Sequence, residues 1–183
     1  MIQVIARARN TVKGRILLTV AAIVGAVALP QLVHVAGRAS GVGTALGELL
    51  LPMHFFVLLA GLLAGPAVGL VTGACAPIIS CLLSGMPKVA VLPFMTIELI
   101  GYGLAAGLLS KSKLSSFLKL LVAQVFGRFL RALAVFVAVG LFDVSGMSVT
   151  SVWNAVVAGL LGILLQWCIL PLILFCVNAS EEI

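Results

Sequence analysis

Residues Ser116–Phe142 read SFLKLLVAQVFGRFLRALAVFVAVGLF. At 27 residues the run exceeds the roughly 20 that an α-helix needs to cross the hydrocarbon of a bilayer, and it is apolar almost throughout. Two arginines, Arg128 and Arg131, interrupt it. A guanidinium at bilayer depth costs about 3 kcal/mol even on the lower scales, so such residues turn towards a bundle interior and pair with something. Glu98 is one candidate partner, being the only acid inside any other apolar stretch apart from Glu48 at an edge. The anionic group of a ligand is the other.

The rest of the chain has the same character. Of its 183 residues 63% are hydrophobic and only 9% are charged, and the mean hydropathy is +1.32. A water-soluble domain of this size would not tolerate that surface. Six stretches are long and apolar enough to span: Arg15 to Ala36, Glu48 to Ala64, Pro66 to Ser84, Val89 to Ser110, Ser116 to Phe142 and Val149 to Val177. The expected fold is therefore an all-α polytopic bundle of six transmembrane helices. A basic leader (1–14) precedes the membrane domain (15–177) and a short tail (178–183) follows it. The first apolar run is too long for a signal-peptide core, and Pro30, Gln31 and His34 stand where a small-residue cleavage site would be.

Charge bias gives an orientation. With both termini in the cytoplasm, Arg7, Arg9, Lys13, Arg15, Lys111, Lys113 and Lys119 lie inside, and only Arg38 and Lys88 lie in outer loops. This is the positive-inside pattern and predicts N-in, C-in. The net charge of +6 follows from that topology. Nucleic acid is not an expected partner, because the basic residues flank lipid spans and form no soluble patch.

Smaller features fill in the picture. Cys75, Cys81, Cys168 and Cys176 fall inside predicted helices at spacings that suit neither a zinc site nor a redox pair, so they read as packing residues. Glycine-rich residues 37–47, Gly85-Met86-Pro87-Lys88 and Asp143-Val144-Ser145-Gly146 read as outer loops, the first two suited to closing over a substrate. Gly-Leu-Leu triplets at Gly61, Gly107 and Gly159 carry no repeat, since both residues are abundant throughout. Ala22 and Ala26, like Ala21 and Gly25, stand four apart on the first helix, where a second helix can approach closely. That strip serves either packing within the bundle or docking of another membrane subunit.

Several segments resemble the substrate-binding S components of energy-coupling factor (ECF) transporters. The similar residues are Gly47-Glu48-Leu49-Leu50-Leu51-Pro52-Met53-His54, then Val57 to Pro66, then Pro77, Ser80 and Leu82 to Pro87. Further along are Glu98-Leu99, Tyr102-Gly103, Gly162 to Gln166, and Pro171. The resemblance implies a six-helix protein of a prokaryotic cell membrane. Such a protein captures a vitamin or related micronutrient from outside and passes it to a complex of a transmembrane coupling subunit and two ATPases. It also implies that Ala22 and Ala26, matching the family's Ala-x-x-x-Ala strip, contact the coupling subunit. ATP would be used by those ATPases. This chain has no GxxxxGK[ST] phosphate loop, and no cofactor of its own is expected.

Candidate substrate-binding residues follow from polarity and depth: Glu48, His54, Glu98, Arg128, Arg131, Asn154 and Gln166. Arg128 and Arg131, three apart, share a helical face. The expectation is that one neutralises Glu98 while the other meets a carboxylate or phosphate, which a guanidinium can grip with two prongs. Trp153 and Trp167 suit stacking, an interfacial belt or core packing equally. No catalytic or metal-binding residue is expected. His34 and His54 belong to no HExxH or GxSxG pattern, and Glu181-Glu182 lies outside the bilayer. An excess of intramembrane positive charge favours an anionic cargo. Pantothenate fits that charge among the family's vitamins, with folate, cobalamin or a queuosine-type base as open alternatives. A self-sufficient secondary transporter is the alternative function.

Overall fold

The computed structural model describes residues 8–43, 45–142 and 150–179, and among these every regular element is a helix. In chain order they are α1 (Val12–Ala39), α2 (Ala45–Leu50), α3 (Pro52–Ala64), α4 (Pro66–Ser84), α5 (Leu92–Leu109), α6 (Ser116–Phe142), α7 (Thr150–Ala158) and α8 (Leu160–Ala179). Six segments are long and apolar enough to cross a membrane, with α2 and α3 together forming the second. This is a multi-pass membrane bundle. The helix ends are capped: α1 begins behind Thr11, whose hydroxyl accepts the Gly14 N–H at 3.1 Å. Helix α4 ends at Gly85, whose φ of 69° turns the chain as a side chain rarely permits.

Two of the predicted spans are not continuous. Leu51 sits in the left-handed region, φ 47° and ψ 47°, and Pro52 follows as the first residue of α3, so the second span is broken near one end. The last span, read from sequence as unbroken, is divided at Gly159 into α7 and α8, and α8 runs on to Ala179. The two breaks lie against each other. A Cβ on Gly159 would meet the Leu51 side chain, and one on Gly162 would meet the Leu50 carbonyl. Irregular backbone at membrane depth is tolerated where protein buries it, and here each break covers the other.

Helix α5 is the centre, with α3, α4 and α6 packed around it; α1 lies against α3 and α4. Glycine makes this closeness feasible. A Cβ on Gly69 of α4 would run into the Gly103 carbonyl of α5, and the reverse holds for Gly103. Val57, Leu58, Ala76, Leu99, Ala106, Leu120 and Leu170 form a fully buried core. Helix α1 is the most peripheral of the long helices, burying only Gly14, Ala26, Val27, Pro30 and Gly37. Its exposed Ile16, Leu17, Val20, Val24, Leu32 and Val35 are an apolar face suited to lipid.

The small-residue strip of α1 points mainly inwards. Ala26 is fully buried in the main core, and Ala22 packs against a second cluster of Ala60, Ala64 and Val68. As an outward docking strip the pair is therefore corrected for Ala26, which α3 covers; Ala22 keeps partial exposure. None of the four cysteines is joined in a disulfide. The loop residues Asp143 to Ser148 lie outside the described residues.

Candidate functional site

Glu98 is a fully buried charged residue of the bundle. It lies on the inward face of α5, one turn before Tyr102, whose hydroxyl donates to Glu98 Oε1 at 2.9 Å. Helix α6 supplies both arginines to the same carboxylate. Arg128 Nη1 lies 3.0 Å from Oε1 and Arg131 Nη1 lies 2.7 Å from Oε2. The sequence expectation of one arginine for Glu98 and one left for a ligand is thereby corrected. Each carboxylate oxygen takes one guanidinium, because residues three apart on α6 straddle a side chain that α5 holds between them.

His54 completes the cluster from α3. Its Nε2 is 3.7 Å from Glu98 Oε1, too long for a hydrogen bond, and its ring tilts against Tyr102 with centroids 5.4 Å apart. Both His54 nitrogens are buried without a partner, as are Arg128 Nη2 and Arg131 Nε. Buried polar atoms in this state are uncommon in native proteins.

A cavity of about 630 Å³ adjoins these groups. His54, Arg128 and Arg131 form its polar wall, and Leu51, Pro52, Met53, Met86, Met95 and Val91 give an apolar, compliant lining. His34, Glu48, Lys88 and Asn154 also border it, and the last three are exposed. The volume falls in the usual range for sites that enclose a small organic molecule. The Ser-Gly-Met-Pro turn is tied down beside it: Ser80 donates to the Met86 carbonyl at 2.8 Å, while the Gln31 amide donates to Ser80 at 3.1 Å and Ser84 at 2.8 Å.

The expected site residues thus divide. Glu48, His54, Arg128, Arg131 and Asn154 line one cavity, and Glu98 stands behind its wall. Gln166 is set apart and holds the break in the second span. Its amide donates to the Leu51 carbonyl at 3.3 Å and its oxygen accepts from Gln124 at 2.9 Å. Trp167 donates to Gln124 at 2.7 Å and meets Phe117 edge-on, so it packs within the bundle, whereas Trp153 is exposed. Sequence reasoning missed Gln124, although it lies on the face of α6 that carries Arg128 four residues later. It also gave no role to Met53, Met86 and Met95, since methionine in a membrane span carries no signal of its own.

Among the described residues no group of three His, Cys, Asp or Glu is placed to hold a metal ion. Comparisons with protein-family models, curated proteins and solved structures find no match to this chain.

Proposed function

We propose that this chain is a membrane-embedded capture subunit for a small, water-soluble anionic solute, working as the S component of an ECF-type importer. The observation that carries the reading is the cavity of about 630 Å³ whose polar wall presents His54, Arg128 and Arg131. Two segments that carry the family resemblance, Leu51-Pro52-Met53-His54 and Met86-Pro87, are separated by 32 positions from His54 to Met86 yet line the same cavity. With the positive-inside orientation, the loops bordering that cavity face outwards, where a nutrient arrives. The micronutrient class, and pantothenate as its first candidate, rest on the resemblance together with the excess of intramembrane positive charge.

In this reading the chain binds and a coupling subunit with two ATPases supplies the work. The partially exposed Ala22 on α1 contacts that subunit. The test is uptake of radiolabelled vitamins by proteoliposomes holding the chain alone, or the chain with an ECF coupling module and ATP. Uptake only with the module and ATP supports an S component. Uptake by the chain alone would instead mark a self-sufficient carrier, and binding without uptake in either preparation would remove the transport reading.

A further inference from the structure

The charge count at the cavity wall says more about the solute than its sign. With histidine counted as neutral, two guanidiniums and one carboxylate sum to one positive charge at the cavity wall. Glu48 and Lys88, at the exposed border, are opposite in sign and leave that sum unchanged. A charge left unbalanced in a low-dielectric interior is costly, and an ion of opposite charge relieves the cost only when the count matches. One anionic charge brings the site to neutrality. Two would bury a net negative charge beside Glu98, and none would leave the positive charge standing.

Glu98 is the residue that sets this count. It is fully buried and lies outside the cavity lining, so it does not face the solute. Without it the same two arginines would present two positive charges. Its hold on both of them also fixes which guanidinium donors remain: Arg128 Nη2 and Arg131 Nε are buried and unpartnered. Donors on two side chains suit the two oxygens of a carboxylate. The three methionines beside them suit an uncharged body.

We infer that Glu98 is a specificity-determining residue that acts through Arg128 and Arg131, cancelling one of their charges so that the cavity selects a monoanion: one carboxylate on an otherwise uncharged body. This rests on the solute-binding reading above. It concerns the number of negative charges on the solute, which that reading leaves open.

The experiment measures affinities for the purified full chain in nanodiscs, in mildly alkaline buffer that keeps imidazole neutral. The probes are pantothenate with its neutral alcohol pantothenol, and the ring series nicotinamide, nicotinate and quinolinate, which carry zero, one and two negative charges. For the parent, at least one monoanion should bind and exceed its neutral and dianionic relatives by about tenfold or more, equivalent to about 1.4 kcal/mol. In Glu98→Gln the preference should move towards quinolinate by a similar factor. If that variant does not fold, Arg128→Gln, which lowers the count to zero, should bring the neutral relatives level with the acids. A merely structural role for Glu98 would weaken all probes equally and overturn the inference. So would a parent that binds a neutral or dianionic member as tightly as its monoanion, although the solute-binding reading would then survive. A parent that binds no probe would overturn both.

Discussion

At the scale of the residue, the informative contact is one carboxylate shared between two guanidiniums. Removing one partner of a buried ion pair costs about 3–5 kcal/mol, because the survivor keeps its desolvation penalty and loses its compensation. Here Glu98 would keep a second arginine, so Arg128→Met and Arg131→Met should each lose about 3 kcal/mol, the low end of that range. Thermal unfolding in detergent checks this, and a melting temperature equal to the parent's in both variants would mean that the pairing contributes nothing. Arg131→Lys should recover only part of the loss, since a single ammonium cannot reproduce the planar guanidinium geometry. The sequence alone made Glu98 and the arginines visible, because charges inside apolar runs are few. It did not show that both arginines reach the same carboxylate, which depends on the rotation of α6 against α5. The glycine contact that fixes this rotation, Gly127 against Tyr102, looks in sequence like any other glycine in a glycine-rich chain.

At the scale of the element, the two broken helices matter most. Leu51 holds a left-handed backbone conformation that costs a non-glycine residue about 1–2 kcal/mol, and Gln166 compensates by donating to its carbonyl. Gln166→Leu would leave that carbonyl with only a long bond from the Phe55 N–H at 3.4 Å and would strand the Gln124 amide. The expected cost is about 2 kcal/mol in stability, with weaker solute binding because Leu51 lines the cavity. Unfolding and binding measured on the same preparation check both parts, and unchanged values would show that the glutamine pair is dispensable. The glycine seam between α4 and α5 is a second such feature. Gly69→Ala should cost about 2 kcal/mol, because the new methyl group would drive the helices apart at Gly103, and a melting curve like the parent's would disprove the close approach. The break before Pro52 was partly legible, since proline favours a helix start. The break at Gly159 was not: a lone glycine in an apolar run gives no instruction without the Leu51 side chain that occupies its space.

At the scale of the whole molecule, the spans were the most legible feature, because long apolar runs leave few alternatives once a bilayer is the solvent. What a span faces was less so. Ala22 and Ala26 look equivalent in sequence, yet one is half-buried and the other fully buried. Ala26→Leu should therefore lower stability by about 1–3 kcal/mol and weaken binding and uptake together, as overpacked cores do. Ala22→Leu should spare solute binding and reduce uptake with the coupling module. Assays of binding and uptake on both variants separate these outcomes, and a matching loss of binding in the two would assign both residues to internal packing. The helices are also of unequal length. At 1.5 Å per residue, α1 with 28 residues is about 42 Å long, whereas α5 with 18 is about 27 Å. No single bilayer thickness suits both. Lipid that matches the central helix obliges the peripheral one to lean or to carry its ends into the headgroups, and thicker lipid lets it stand more upright. The expected outcome is that the angle of α1 responds to the thickness of the surrounding lipid. A series of nanodiscs differing only in lipid chain length should shift labels on α1 relative to α5 while leaving the α4–α5 spacing fixed, as read by spin-label distances. Constant α1 distances across the series would mean that protein contacts alone hold it.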